Sequence, residues 1–236
     1  MRKEISETDE ISIVLADESH LPYVNTILTT IEEAAKVRGT GIAKRTPEYI
    51  ELKIKERKAI IATAKNGEFA GFCYIETWGN KKFVANSGLI VVDTFRGHGL
   101  AKRIKKKAFQ ISRERYPDAK IFGLTTGLAV MKINNELGYR PVTFSELTDD
   151  EDFWKGCQSC VNYDILQRTN RKHCLCTGML YDPAWDKSKV EEKAKNKQKA
   201  IVVKPVVKNH RTISKSTPQR KKNKNAKKDK MSLNFL

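Results

Sequence analysis

The sequence predicts an α/β chain, and three observations predict it. Short β-type apolar runs alternate with stretches whose apolar residues recur at three- and four-residue steps. Asn66-Gly67 stands between two of the β-type runs, a strong hairpin signal. A glycine loop, Arg96, Gly97, His98, Gly99, Leu100 and Ala101, joins the apolar run 87–92 to a basic amphipathic helix. A glycine loop that ends a strand and opens a helix leaves several backbone N–H groups unpaired, aimed at one spot where the helix dipole adds positive potential. That spot suits a phosphate.

Taken in order, Ile11–Ala16 alternates enough to be a first strand, and Asp17 or Ser19 can cap the helix that follows. In that helix Leu21, Val24, Ile27, Leu28 and Ile31 form one buried face, with Glu32 and Glu33 next to it. Residues 38–45 read as a glycine-rich connection, after which Thr46 is an N-cap and Pro47 the first position of a second helix reaching about Arg57. Strands follow at Ala59–Thr63, Phe69–Thr77 and Phe83–Asp93. In the helix after the loop Leu100, Ile104, Ala108 and Ile111 line one side, and Lys102, Arg103, Lys105, Lys106 and Lys107 are expected elsewhere on it. A strand at Lys120–Thr125, a helix at about Leu128–Leu137 and a strand from Tyr139 complete the order β-α-α-β-β-β-α-β-α-β.

Charge is unevenly spread. Residues 186–236 hold 17 Lys and Arg against 4 Asp and Glu, leaving 28 against 24 for residues 1–185, so the net charge of +17 mostly describes the tail. We therefore divide the chain into a core at 1–149, a cysteine-containing module at 150–185 packed on it, and a Lys-rich tail at 186–236. Within the tail Lys187–Ala200 can form a solvated helix, Ile201–Val207 is an apolar island, and disorder is expected from about residue 208. The first ten residues contain no apolar signal-peptide core, and no stretch approaches the apolar length of a membrane span, so a cytoplasmic protein without a membrane partner is expected.

Arg96-x-x-Gly99-x-Ala101 after a strand, with Leu137-Gly138-Tyr139 about forty residues later, resembles the GNAT acyltransferases. The resemblance implies the GNAT fold, a mixed, twisted sheet with helices on both faces, and an acyl-CoA-dependent N-acyltransferase using acetyl- or succinyl-CoA. It implies a diphosphate held on the amides of His98 to Ala101 and a pantetheine arm along the backbone of Leu89, Ile90, Val91 and Val92. Arg96 belongs to the same loop. Lys102 and Arg103, in the first turn of the loop helix, are placed to meet a coenzyme phosphate, the planar fork of Arg103 suiting it better. The alternative for these lysines is a solvated face.

For the base, Glu76 is the first candidate, a carboxylate near the end of a central strand; the alternative is a half-exposed strand glutamate. Tyr139 is the second candidate, and Tyr74 a reserve. Many family members carry a tyrosine four residues before the Gly-aromatic pair; this chain has Asn134, so that role is not transferred. Leu124-Thr125-Thr126 followed by a helix and Gly-Tyr-Arg-Pro resembles N-acetylglutamate synthases and a stand-alone bacterial GNAT group of arginine synthesis. A small acidic amino acid as acceptor needs cations, which Arg38, Lys44 and Arg45 can supply beside Thr125 and Thr126. Two other functions stay open: a protein N-acetyltransferase, and a non-catalytic protein whose basic tail holds nucleic acid or ribosomes by counterion release. Homodimerisation stays open as well.

Five cysteines, an odd number, argue against a disulfide framework. Cys157-x-x-Cys160 and Cys174-x-Cys176 have spacings that can close a structural zinc site, that can be reduced packing thiols, or that can form a redox pair. Cys73, inside a strand, reads as a core thiol.

Overall fold

A computed structural model describes residues 11–38, the side chain of Arg38 excepted, and residues 45–186. The expectations for Lys44, for the side chain of Arg38 and for the tail beyond Asp186 lie outside these residues.

Strand β1 (Ser12–Leu15) leads into a turn capped by Asp17, whose carboxylate accepts from the Ser19 N–H. That turn, Glu18–Tyr23, is a 3-10 helix with Pro22 inside it. The regular helix α1 (Val24–Arg38) follows, buried through Val24, Ile27 and Ile31, and Glu32 and Glu33 are exposed. Helix α2 (Pro47–Lys55) starts as its sequence dictates: the Thr46 side chain accepts from the Tyr49 N–H, and Pro47 occupies the first turn. Strands β2 (Ala59–Thr63) and β3 (Phe69–Trp78) are joined by the Asn66-Gly67 turn, where Gly67 donates to the Ala64 carbonyl and Asn66 accepts from the Glu68 N–H. Then come β4 (Phe83–Val91), α3 (Leu100–Arg115), β5 (Lys120–Thr125), α4 (Leu128–Glu136), β6 (Arg140–Val142), two short helices α5 (Glu151–Lys155) and α6 (Tyr163–Arg168), and β7 (Thr177–Tyr181).

The seven strands form one mixed sheet in the order β1-β2-β3-β4-β5-β7-β6, antiparallel except where β4 meets β5. The cysteine-bearing segment contributes β7, which enters the sheet between β5 and β6. Period-two alternation sends successive residues to opposite faces. Ile60, Cys73, Ile75, Ile104, Ala108 and Ile111 pack on the α3 side, and Ile27, Ile50, Ile54, Ile61, Phe72 and Tyr74 on the α1–α2 side. Helices cover both faces, as the family resemblance implied. Each fully buried aliphatic side chain of this kind contributes roughly 1.5–3 kcal/mol. A third cluster gathers Phe122, Phe144, Trp154 and Leu166 under α5 and α6.

Lys105 departs from expectation. It lies on the buried stripe of α3, 2% exposed, rather than with the solvated lysines, because its position in the i, i+3 and i+4 series continues Ala101, Ala108 and Ser112.

Candidate active site

Strands β4 and β5 pair only over Phe83–Lys120, Val84–Ile121 and Ala85–Phe122, although both strands continue. Ser87 to Val91 therefore have β3 on one edge and no strand ladder on the other. In the same stretch β4 carries one extra residue: Phe72 faces Ile90 and Tyr74 faces Ser87, which leaves a bulge at Gly88–Leu89. Gly88 takes φ +66°, and the Tyr74 ring packs against it so closely that a Cβ there would lie 2.6 Å from Cε1.

Backbone alternation assigns the amides. The Val92 N–H is bonded to the Ala70 carbonyl at 3.0 Å and so faces β3. The Ile90 carbonyl also faces β3, 2.8 Å from the Cβ position of Gly71. Two of the four residues expected to hold a thioester thus belong to the β3 ladder. Leu89 and Val91, one step out of phase, turn to the parted edge.

The glycine loop opens where β4 ends. Phe95 is buried and anchors a 3-10 turn at Asp93–Phe95. Arg96 does not point its guanidinium into the loop: Nε donates to the Val91 carbonyl at 3.1 Å, and Nη2 pairs with Asp93 at 2.6 Å. It braces the turn instead of meeting a ligand, because those carbonyl and carboxylate acceptors lie within its reach. Gly97 and Gly99 have positive φ, are exposed, and have nothing within 4 Å of a Cβ position. Gly99 is the N-cap of α3 with no side-chain cap, and the first turn holds no acid. The first intrahelical bond is Arg103 N–H to the Gly99 carbonyl at 3.1 Å, leaving the amides of Leu100 and Ala101 without helical partners. An open, uncapped helix start next to an unladdered strand edge fits a diphosphate continued by an extended arm.

Arg103 does not join this cradle as expected. Its Nη2 donates to the Ile11 carbonyl at 3.0 Å, tying α3 to the start of β1. Lys102 pairs with Glu136 at 2.6 Å, both partners exposed.

On the α2 side of the bulge, Arg45 Nε and Nη2 donate to the Tyr74 hydroxyl at 2.9 and 2.7 Å. The Tyr49 ring meets Tyr74 edge-on at 5.7 Å. Tyr49 donates to Glu76 Oε2 at 2.9 Å, and burial with the neighbouring Tyr74 and Glu76 pushes its phenol far up. Lys53, nearly buried, forms an ion pair with the same Glu76 oxygen, and Glu76 Oε1 accepts from the Thr77 N–H at 3.1 Å. Glu76 therefore has both oxygens engaged, one of them by the buried Lys53. It clamps α2 to the sheet, a geometry ill suited to taking a proton from an amine. The helical spacing Ile50, Lys53, Ile54 carried the signal for its partner.

Tyr139, the other catalytic candidate, is 1% exposed on the opposite face of the sheet, its hydroxyl on Asn86 Oδ1 at 3.1 Å and its pKa driven well up by burial. Thr125 ends β5 and Thr126 follows it; Thr125 Oγ1 accepts from the Gly127 N–H at 3.0 Å, and Thr126 is exposed. Asn134 is buried, and its Oδ1 has no hydrogen-bond partner among the described residues.

Among the described residues no group of three or more His, Cys, Asp or Glu stands as a metal-holding set, so the zinc expectation finds no support. Cys157, Cys160, Cys174 and Cys176 are free thiols. Cys157, Cys174 and Cys176 pack against the third apolar cluster, and the Cys160 sulfur accepts from the Asn162 N–H at 3.4 Å. They do interact: burial first, then the neighbouring thiols, raises Cys157 to about 11, with Arg45 opposing, and Cys176 to about 12.

Residues 26–132 match the model of the acetyltransferase (GNAT) family. Over that stretch the chain is similar to the GNAT acetyltransferases. Among solved structures, N-acetylglutamate synthase from Neisseria gonorrhoeae, complexed with coenzyme A and N-acetyl-glutamate, is 16% identical with a TM-score of 0.52 over 75% of this chain and 36% of that one. The chain thus spans about a third of that synthase's length. The protein yncA from Salmonella typhimurium, with its cofactor acetyl-CoA, is 13% identical with a TM-score of 0.51 over 74% of this chain and 94% of that one. Diaminobutyrate acetyltransferase from Paenibacillus lautus, in complex with L-2,4-diaminobutyric acid and coenzyme A, is 10% identical with a TM-score of 0.50 over 74% of this chain and 96% of that one. At these identities the likeness is one of fold. None of the curated proteins compared matches the chain. No described helix of the chain is long and apolar enough to cross a membrane.

Proposed function

We propose that this chain transfers an acetyl or succinyl group from coenzyme A to the amine of a small acidic amino acid, glutamate first, as an N-acylglutamate-forming step of arginine synthesis. The observation that carries the reading is the Arg45 guanidinium, oriented by the Tyr74 hydroxyl directly beside the β4 bulge. A planar fork held at a fixed angle is the group that binds a carboxylate with two parallel hydrogen bonds. The synthase from Neisseria gonorrhoeae is named with N-acetyl-glutamate and the Paenibacillus lautus enzyme with the amino acid L-2,4-diaminobutyric acid, which supports an amino-acid acceptor here.

In this reading the acyl-CoA supplies an activated thioester carbonyl. The Leu89 and Val91 amides face its oxygen, and preorganised donors of this kind lower the barrier by about 3 kcal/mol each. Arg45 fixes the acceptor's carboxylate so that its neutral amine reaches the carbonyl carbon. A C–N bond forms, the C–S bond breaks, sulfur leaves as thiolate, and the amine's extra proton passes to water.

The test is thiol release from acetyl- and succinyl-CoA with glutamate, aspartate, L-2,4-diaminobutyrate and polyamines. Glutamate-dependent release that falls about a hundredfold in Arg45→Ala, and by about tenfold in Arg45→Lys, is expected from loss of the bidentate contact. Turnover of a polyamine and none of glutamate overturns the acceptor.

A further inference from the structure

Lys105 is an ionisable group that the fold buries where the catalytic cleft begins. Its Nζ donates to the Asn86 carbonyl at 3.1 Å and stands 5.4 Å from the centre of the Tyr139 ring. Asn86 follows Ala85, the last β4 residue paired to β5. Its carbonyl faces β5, lying 3.8 Å from the Cβ position of Gly123, and Lys105 Nζ lies 3.9 Å from that position. The ammonium therefore occupies the place at which the next rung of the parallel ladder would form.

The neighbouring groups act in the same sense. The Ser87 carbonyl, one residue on, accepts from the Cys73 thiol at 3.3 Å. The Asn86 side chain is fixed from both ends, donating to Ser112 Oγ at 2.8 Å and accepting from the Tyr139 hydroxyl at 3.1 Å. A buried lysine without a carboxylate partner is costly, and an apolar side chain of the same length would fill the space without that cost. Fold stability alone does not account for it.

We propose that Lys105 is a positioning residue for acyl transfer: it caps the Asn86 carbonyl, stops β4 and β5 from zipping further, and so keeps the Leu89 and Val91 amides open to the thioester. The inference rests on the reading that the acyl-CoA arm lies along that edge. Lys105 touches neither substrate.

The test compares the full chain with Lys105→Met, which keeps length and volume, and Lys105→Gln, which keeps a donor without the charge. Calorimetry with coenzyme A first shows that the parent binds; no binding by the parent overturns the site itself. With parental binding in hand, Lys105→Met is expected to weaken coenzyme A by on the order of tenfold and raise the donor KM alike, with the acceptor KM and the melting temperature held or improved. Lys105→Gln is expected to recover most of the affinity. Hydrogen exchange of the unliganded proteins gives a readout independent of turnover: amides of residues 123–125 directed at β4 exchange fast in the parent and become protected in Lys105→Met. Parental affinity in a folded Lys105→Met overturns the wedge. If that variant does not fold, slow exchange of those amides in the parent overturns it instead.

Discussion

The Tyr74 ring lies across Gly88, filling the space that any side chain at position 88 would need. This one contact couples the two halves of the site. Gly88 makes the bulge that turns Leu89 and Val91 outward, and Tyr74 carries the hydroxyl that orients Arg45.

Gly88→Ala is accordingly expected to damage both halves. The left-handed φ costs about 1 kcal/mol for alanine, and a methyl driven into the ring costs roughly 1–3 kcal/mol more by overpacking. Thermal denaturation should show that loss. The donor KM and the acceptor KM should both rise, since the ring must move away from Arg45's position. Unchanged kinetics in a destabilised protein would separate Gly88 from the chemistry.

Gly99→Asp asks a different question, because there a side chain meets open space. Aspartate tolerates positive φ better than most residues, so the stability change should stay near 1 kcal/mol or below. Its carboxylate would stand at the uncapped start of α3, where a diphosphate is expected, and like charges repel. Coenzyme A affinity should fall at least tenfold, about 1.4 kcal/mol, by calorimetry. Retained affinity would move the diphosphate to another place.

Glu76→Gln separates a clamp from a base. Lys53 would be left buried beside a neutral amide, and breaking a buried pair in this way costs about 3–5 kcal/mol. The melting temperature should drop accordingly. Turnover measured well below that temperature should persist within about threefold, since the clamp holds α2 and does not touch the amine. The paired change Lys53→Met with Glu76→Leu should recover most of the stability. A hundredfold loss of kcat at unchanged melting temperature would restore Glu76 as the base.

The local devices around this candidate site are legible in the sequence and the long-range contacts are not, for physical reasons. Thr46-Pro47, Asn66-Gly67 and the Gly97/Gly99 loop read correctly because each is a local device whose geometry depends on residues close in sequence. Arg96 is read from the loop motif and Arg103 from its guanidinium in the first turn of the loop helix; their partners, the Val91 and Ile11 carbonyls, are set by tertiary placement that no local pattern carries. The Glu76 clamp joins residues 23 positions apart, and the bulge at Gly88–Leu89 is visible only through the register of β3 against β4. The cysteine spacings pointed to a metal, whereas three of the four sulfurs became packing groups against aromatic residues of α5 and its surroundings.

Lys105 also sets a pH signature. Burial lowers its pKa to about 8, opposed by the nearby Cys73. The unfolded lysine titrates near its ordinary value, higher than this, so between the two the unfolded chain binds more protons and stability rises with pH. Cys73 and Cys157, raised by burial to about 11, and Cys176, raised to about 12, act oppositely. Their unfolded thiols release protons first, and stability falls as pH climbs above about 9. The Lys105 contribution should therefore grow by about 1 kcal/mol between pH 8 and pH 9, read as the stability of the parent minus that of Lys105→Met, because the thiols offset it in the parent alone. In Lys105→Met only the thiols' decline should remain. A difference between the parent and Lys105→Met that stays flat from pH 7.5 to 9 would mean that the Lys105 ammonium is no harder to bury than an exposed one.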